Sequence, residues 1–361
     1  MKTYLTLEYH LFSVRRIAVG LVGVLLTLGL AGCGSDEESG QATTGSQGDQ
    51  KITVYSGRSE ELVQPVFDQF SKDTGVEVEG RYGNTAQLAA QLLEEGEKSP
   101  ADVFFAQDAG ALGAVTKAGM FAPLPSSTTE LVPEEYRANN DAWIGVTARS
   151  RVLAYNPDLV AKDDLPDSVY ELTEPEWKGK IGVAPTNASF QAFVTAIRVR
   201  DGDDKAREFL SGLKANEPAI RDGNAPILEE INDGKIAVGL INHYYVGELA
   251  KEKGVSPDSL KAKLYFFPDG DPGALVNVAG VGVLKNAAND PEAQAFVNYL
   301  LDRKAQSYFA EQTYEYPVVE GVAGPSGVPA LDELEGPKID LNDLDSLEQT
   351  ITLIKESGLT P

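Results

Sequence analysis

The chain has 361 residues, which is long enough for two lobes with sizeable cores. Its net charge of −24 argues against binding to nucleic acid or to an anionic lipid surface. Its two histidines, His10 and His243, and its one cysteine, Cys33, exclude an intrachain disulfide and a zinc site of His and Cys side chains. The chain has no G-x-S-x-G elbow and no glycine-rich phosphate motif. Binding is therefore favoured over catalysis, and a hydrolase that uses paired carboxylates is the enzymatic alternative.

The amino terminus has the layout of a secretory signal. Arg15 and Arg16 precede an apolar run at residues 17–30 that is too short to span a bilayer alone. The run ends in Leu-Ala-Gly-Cys, which resembles the processing box of bacterial lipoproteins and predicts lipidation of Cys33. An ordinary signal peptide with a chance cysteine is the alternative. Residues 1–33 contribute +2 to the net charge of −24, which leaves −26 on the rest of the chain.

The first half of the remaining chain alternates predicted strands and helices. Before it, residues 34–50 are rich in Gly, Ser, Thr, Gln and acidic residues, which predicts a flexible tether. The predicted strands are 51–56, 76–79 and 102–105, and the predicted helices are 60–72 with Ser59 as N-cap, 85–97 and 109–118. This order indicates a parallel or mixed sheet covered by helices, in which ligands bind beyond the carboxyl ends of the strands.

The second half predicts a further α/β region between two crossing segments. Extended stretches at 143–155 and 274–284 are expected to carry the chain from one lobe to the other and back. Between them we predict strands at 180–184 and 236–241 and helices at 189–200, 203–213, 225–232 and from the tyrosines to 253. Helices at 291–309 and near 344–356 complete the fold.

Three predicted junctions in this region share a polar start of a helix. They are 185–189, 223–226, where Asn224 is the expected N-cap, and 242–245. Helix N-termini present free N–H groups and the positive end of the helix dipole, which suits an anion. If the three junctions share one edge of the sheet, their amides converge on an oxyanion; ordinary capping is the alternative.

Tyr244 and Tyr245 follow Asn242 and His243 at the third junction. Where a strand enters a helix, neighbouring side chains diverge by about 100° rather than about 180°, so both hydroxyls could reach one point. A phenol with a pKa near 10 becomes a phenolate at neutral pH only if a cation displaces its proton. Ferric iron is the obvious cation, and aromatic packing or a stacking platform for an organic ligand are the alternatives.

Eight stretches between Lys51 and the C-terminus carry a resemblance to a known protein family, whose members have similar stretches in the same order. They are ITVYSGR, SPADVFFAQDAGAL, LPSST, RSRVLAYN, WKGKIGVAPT, INHYYVGELAKEKGV, DPGALV and EYP. Through them the chain resembles the periplasmic ferric-ion-binding proteins, which are solute-binding components of iron ABC importers. The resemblance implies an α/β, two-lobed type II periplasmic-binding-protein fold with mixed sheets, covering helices and a hinge of two crossing strands. It implies lobe I at 51–145 plus 276–322 and lobe II at 146–275 plus 323–361.

The same resemblance assigns the site. Tyr244 and Tyr245 are implied ligands of Fe³⁺, and a synergistic anion such as carbonate or phosphate is implied on the second lobe. The implied anion-binding residues are Asn187, which some members replace by serine, Ala188, Ser189, Asn224 and Asn242.

The first lobe departs from the family pattern. Ser59 and Gln107 stand where several members have a histidine and a glutamate ligand, and neither is a good ferric ligand. Arg58 could neutralise an anion or could be a solvated rim residue, and Asp108 could be a substitute carboxylate. The two tyrosines are thus expected to be the only protein side chains that touch the metal.

The resemblance implies capture of ferric iron without chemistry by a monomer that an anchor at Cys33 keeps outside the cytoplasm, in the periplasm or at the cell surface. An ABC permease and ATPase are the implied partners. The alternative within the same fold is a binder of an organic cation or phosphonate, such as a polyamine or thiamine, with the tyrosines as stacking walls.

Overall fold

The computed structural model describes residues 51–360. The predicted signal peptide, the predicted tether and Cys33 lie outside these residues. Among the helices that are described, none has the length and apolar character needed to cross a membrane.

The described strands form one mixed sheet in the order β2-β1-β3-β9-β4-β7-β5-β6, and β8 and β10 also pair with β4. The strands are β1 (Lys51–Ser56), β2 (Glu77–Tyr82), β3 (Val103–Ala106), β4 (Ile144–Tyr155), β5 (Ile181–Val183), β6 (Ala219–Ile220), β7 (Val238–Asn242), β8 (Lys263–Tyr265), β9 (Val276–Val283) and β10 (Tyr316–Pro317).

The helices cover the faces of this sheet. They are α1 (Glu60–Thr74), α2 (Thr85–Glu95), α3 (Ala109–Lys117), α4 (Ser126–Thr129), α5 (Ala188–Asp201), α6 (Asp203–Ala215), α7 (Asn224–Asn232), α8 (Tyr245–Lys253), α9 (Pro291–Leu300), α10 (Arg303–Tyr308) and α11 (Leu347–Glu356). The predicted α/β class with a mixed sheet is confirmed.

Strand β4 is shared by two lobes. Its residues 144–150 pair with β9, and its residues 151–155 pair with β7 and β8. We therefore call the part of the sheet built from β1, β2, β3, β9 and β10 the first lobe, and the part built from β5 to β8 the second lobe. The chain returns at Leu275, whose carbonyl accepts a 2.8 Å hydrogen bond from the backbone N–H of Arg151. Two crossings therefore meet next to Arg151.

Each lobe packs its helices through aromatic side chains. In the first lobe the rings of Phe67 on α1 and Phe296 on α9 meet edge to face with centroids 5.2 Å apart. In the second lobe Phe193 on α5 packs edge to face on Phe209 of α6, with centroids 5.7 Å apart. Such contacts add about 0.5–1.5 kcal/mol each beyond the buried area. These cores hold rigid the strand ends that carry the site.

Some expectations about helix ends are wrong. The predicted helix 291–309 is two helices, because Asp302 accepts a hydrogen bond from Ala305 N–H (2.7 Å) and starts α10 anew. Ser59 is the N-cap of α1 as predicted, although its side chain makes no capping hydrogen bond. Asn224 is the first residue of α7, and Gly223 is its N-cap. The Asn224 side chain is therefore free for tertiary contacts.

The C-terminal segment contacts both lobes. A 3₁₀ turn at Leu341–Asp345 packs on α3 of the first lobe, and α11 packs on α5 and α6 of the second. The predicted last helix near 344–356 thus begins at Leu347.

Candidate functional site

The two tyrosines lie side by side at the start of α8. Tyr244 is the N-cap with helical backbone angles (φ −66°, ψ −23°), and Tyr245 is the first helical residue. Their rings stack with centroids 4.4 Å apart and planes 28° apart. Tyr244 is 1% exposed, and Tyr245 is half-buried and borders a cleft. The strand-to-helix junction therefore points both rings the same way, as the sequence predicts.

Burial raises the pKa of the Tyr245 hydroxyl well above its usual value, and the neighbouring Tyr244 and Glu248 raise it further. Without a cation this phenol stays protonated at neutral pH. A bound metal ion reverses that preference, because its positive charge stabilises the phenolate.

The three polar junctions meet beside the tyrosines. Ser189 Oγ accepts hydrogen bonds from Asn224 Nδ2 (3.2 Å) and Arg151 Nη1 (3.0 Å), and it donates to Asn187 Oδ1 (2.6 Å). Asn242, at the end of β7, pairs in register with Arg151. The predicted convergence of these junctions on one edge of the sheet is thus what the structure has.

The polar side chains of this cluster differ in whether their atoms already have hydrogen-bond partners. Asn187 Oδ1 accepts the backbone N–H of Ser189 (3.0 Å) and is therefore engaged in capping α5. Ala188 is the buried first residue of α5. In contrast, Asn224 Oδ1 and Asn242 Nδ2 are buried and have no hydrogen-bond partner among the described residues. A buried amide without a partner costs about 1–3 kcal/mol, which makes these two atoms candidates for contact with a ligand.

Arg58 lies at the bottom of the site and is only 2% exposed. Its Nη2 donates a 2.7 Å ion-pair hydrogen bond to Glu315, and Glu315 also accepts from Thr147 (3.1 Å) and Thr313 (3.1 Å). The Arg58 guanidinium is 5.9 Å from the Tyr244 ring centroid. Burial alone lowers the pKa of Arg58, but the Glu315 carboxylate and the two tyrosines outweigh it and raise this pKa. The expectation of a solvated rim residue is wrong.

Arg149 is the least satisfied charge in the site. It is 1% exposed, and within residues 51–360 its Nε, Nη1 and Nη2 have no hydrogen-bond partner. Burial lowers its pKa, as does Arg58, whereas Glu315, Tyr244 and Asp108 raise it. A guanidinium nevertheless stays charged at neutral pH. Arg149 thus brings a buried positive charge with five N–H donors to the site.

Arg151 is held by the second lobe. Its Nη2 donates to the carbonyl of Leu240 (2.8 Å), and its guanidinium carbon lies 5.7 Å and 5.5 Å from the ring centroids of Phe190 and Phe193. Burial lowers the pKa of Arg151 to about 9. With its Ser189 hydrogen bond, Arg151 joins the arginines to the polar junctions.

His243 is buried behind the tyrosines and is not a free ligand. Its Nδ1 accepts the backbone N–H of Ser150 (3.2 Å), and its Nε2 lies 3.0 Å from the carbonyl of Tyr314. Its ring stacks on Tyr316 with centroids 4.5 Å apart. Burial lowers the pKa of His243 to about 3. The neutral His243 side chain therefore links the tyrosine junction to the first lobe through these contacts.

The remaining first-lobe candidates are peripheral. Gln107 is half-buried and donates its backbone N–H to Thr85 Oγ1 (3.3 Å). Asp108 caps α3 by accepting the N–H of Ala111 (3.0 Å), so its carboxylate is engaged there. Ser59 is exposed, but it borders the same cleft as Tyr245, which has a volume of about 640 Å³.

Within residues 51–360, no three His, Cys, Asp or Glu side chains come together as a metal-binding group. The tyrosine pair lies beside the place where the three polar junctions meet and is the candidate donor set for a metal.

The comparisons with known proteins agree with this architecture. The family model for bacterial extracellular solute-binding proteins matches residues 98–337. The Fe(3+)-binding periplasmic protein of Serratia marcescens is 36% identical over 86% of this chain and 91% of its own length.

Two solved structures are similar over the same region. Iron-bound HitA from Pseudomonas aeruginosa is 36% identical, covers 85% of this chain and 99% of its own, and superposes with a TM-score of 0.81. The Trichodesmium protein described as IdiA or FutA, in complex with iron and citrate, is 30% identical, covers 86% of this chain and 100% of its own, and has a TM-score of 0.71.

The chain belongs to the bacterial extracellular solute-binding proteins. The predicted two-lobed type II periplasmic-binding-protein fold is confirmed by these structural neighbours. So is the prediction that the chain is a transport protein and no enzyme, since its relatives are solute-binding proteins.

Sequence reasoning missed four functional candidates in this solute-binding protein: Arg149, Arg151, Glu315 and Glu248. A signal for the arginines was present, because residues two apart on a strand share a face, and two charges on one face of an apolar crossing strand need a partner. Glu315 had no such signal, since its partner Arg58 is 257 residues away.

Proposed function

We propose that this protein captures ferric iron as its cargo in the cleft between the lobes and delivers it to an ABC importer of the cell membrane. Tyr244 and Tyr245 bind the ion as phenolates. The observation that carries the proposal is the buried, stacked tyrosine pair beside the arginines Arg58 and Arg149. The names of similar proteins, which bind ferric iron, support the same cargo.

Charge explains why iron is captured together with an anion. The site holds three buried guanidinium groups, those of Arg58, Arg149 and Arg151. Glu315 pairs with Arg58, and Glu315 and Asp108 act electrostatically on Arg149. Ferric iron adds three positive charges, and two phenolates remove two. A small oxyanion or carboxylate must supply the rest, because uncompensated buried charge is strongly unfavourable.

The synergistic anion binds where unmatched donors already point. Arg149 and Asn242 Nδ2 have buried donors without partners, and the start of α5 at Ala188 and Ser189 adds the positive end of a helix dipole. Asn224 and Asn187 fix Ser189 in place. Carbonate, phosphate and citrate all fit this chemistry, and the Trichodesmium relative is described with iron and citrate.

The arginines disfavour the alternative cargo. A polyamine or thiamine would lie next to the buried guanidinium groups of Arg58, Arg149 and Arg151, and the carboxylate of Glu315 is already paired with Arg58. Like charges in a buried site repel each other strongly. Ferric iron avoids this repulsion because the two phenolates of the protein and the accompanying anion compensate its charge.

Capture closes the lobes and release reopens them. The lobes comprise residues 51–145 with 276–322 and residues 146–275 with 323–361, and the two crossings beside Arg151 serve as the hinge. The protein works as a monomer with a permease and its ATPase. Lipidation of Cys33, which becomes the first residue once residues 1–32 are removed, holds the binder at the outer face of the membrane, beside its permease.

The proposal is tested by ferric titration of the anaerobically purified protein with and without carbonate, phosphate and citrate. Charge transfer from phenolate to Fe³⁺ is expected to produce a visible absorption band that strengthens when one of the anions is present. A protein that stays colourless after ferric loading would overturn the proposal. Binding heat from a polyamine or thiamine without colour would establish the alternative cargo.

A further inference from the structure

Glu248 is a half-buried residue whose carboxyl group the assigned site does not use. It lies in the first turn of α8, three residues after Tyr245. Its Oε1 is shielded from solvent and has no hydrogen-bond partner within residues 51–360. Both Glu248 and Tyr245 border the cleft between the lobes, together with Ser59 from the opposite side.

The position of Glu248 follows from helix geometry. Residues three apart lie on one face of a helix with Cβ atoms about 5–6 Å apart, so the Glu248 side chain extends beside the Tyr245 ring. Its electrostatic neighbours are Glu315, Arg58, Glu61 and Lys251, of which Glu315 and Arg58 belong to the bottom of the site. The carboxyl group is therefore near the tyrosines and on the cleft side of them.

An ordinary structural role does not explain this placement. A glutamate in the first turn of a helix can stabilise the helix dipole from solvent, but Oε1 is buried without any donor. Burial raises the pKa of the Glu248 carboxyl to about 8, and Glu315 raises it further. An unpaired carboxyl oxygen on a residue that borders the cleft beside Tyr245 is available to a cation that the cleft takes up.

We infer that Glu248 is a third anionic oxygen ligand of the ferric ion, supplied by the same helix as the tyrosines. This inference rests on the proposed function. Two phenolates and one carboxylate balance the charge of Fe³⁺, and all three are the hard oxygen donors that such a cation prefers. Glu248, which belongs to the second lobe, then supplies the metal ligand that Ser59 on the opposite side of the cleft cannot supply.

The test compares Glu248→Gln with Glu252→Gln in the full-length protein. Glu252 borders the same cleft one turn further along α8 but is exposed, which makes it a matched control for the loss of one negative charge. Fe³⁺ affinity is measured by competition with citrate, and the phenolate-to-iron band by visible absorption. Glu248→Asp serves as the conservative variant that keeps a carboxylate.

Glu248→Gln is expected to weaken Fe³⁺ binding by about 100-fold, at least as much as the loss of an outer-shell partner. It also moves the visible band to longer wavelength, because iron with one anionic ligand fewer draws charge from the phenolates more easily. Glu248→Asp restores part of both properties, and Glu252→Gln changes neither. The apo form of Glu248→Gln melts at the same temperature as wild type or higher.

Three results would overturn the inference. The first is a Glu248→Gln protein with wild-type affinity and band position. The second is a loss of affinity without a shift of the band, which would make Glu248 a residue that acts through others. The third is a lower apo melting temperature as the only effect. A wild-type protein without any visible band would instead contradict the proposed function itself.

Discussion

The two sides of the cleft do different work. The second lobe presents neutral oxygen and amide groups at helix starts, with the tyrosine pair in front of Asn224 and Ser189, and it also holds Arg151. The first lobe, with its half of β4, presents the cations Arg58 and Arg149. The proposed metal ligands are thus on one side, and two of the three arginines that call for an accompanying anion are on the other. Neither side alone makes a complete site.

This division has a physical advantage. A cation held by neutral phenols in an open lobe binds weakly, because the phenols must lose their protons. When the lobes close, the metal, the anion and the arginines meet in a region of low dielectric constant, where their attractions are strongest. Affinity is therefore concentrated in the closed state, which a transporter can open to release the ion.

The largest effect is expected from the ligand side. Replacement of both Tyr244 and Tyr245 by phenylalanine removes two ligands and is expected to abolish the visible band and weaken ferric binding by about 10⁴-fold, since even outer-shell losses cost about 10–100-fold each. Tyr265→Phe, half-buried elsewhere in the second lobe, is the control. A double variant that keeps the visible band would contradict the statement that the second lobe supplies the metal ligands through these tyrosines.

The next largest effect is expected from the charge side. Arg149→Met removes the unmatched guanidinium and should reduce the enhancement of iron binding by phosphate or carbonate by about 10- to 100-fold, the value of a charged hydrogen bond. The apo protein should be as stable as wild type or more so in thermal melts, because a buried charge without partners is lost. The exposed Arg207→Met serves as control. An unchanged anion dependence would show that the anion binds elsewhere.

A smaller effect is expected from the neutral network on the second lobe. Ser189→Ala deletes the hydroxyl that Arg151 and Asn224 share and should weaken anion-dependent iron binding about 2- to 10-fold, in line with neutral hydrogen bonds. Titration of iron at several phosphate concentrations measures it. Ser211→Ala, exposed on α6, is the matched control. A loss of anion-dependent iron affinity as large as that of Arg149→Met would show that the neutral network contributes as much to anion binding as the arginine does, contrary to the division between the two sides.

The smallest effect is expected from Ser59 and Gln107. Ser59→Ala and Gln107→Ala should leave both the visible band and the Fe³⁺ affinity unchanged, because neither residue has a side-chain contact with the tyrosines or the arginines. Competition with citrate is again the measurement. A tenfold loss in either variant would mean that the first lobe contributes a metal contact after all, and the comparison would need that correction.

Local patterns in the sequence were enough for the ligand side of this protein. The βαβ order predicts the sheet, the polar helix starts predict converging amides, and the strand-to-helix junction makes neighbouring tyrosines share a direction. All of these depend on residues close together in the chain. Even here the local rules misplaced the cap at Asn224, which is the first residue of α7 and whose side chain makes a tertiary hydrogen bond to Ser189.

Only the tertiary structure decided the charge side. Arg58 is paired with Glu315, 257 residues away, and Arg149 is buried because strands of distant segments cover β4 on both sides. Nothing in a local pattern separates these arginines from solvated ones, since burial is a property of the packed lobes. The sequence by itself, through local patterns and the family resemblance, therefore indicated the proposed metal ligands, and the fold decided which charges lie beside them.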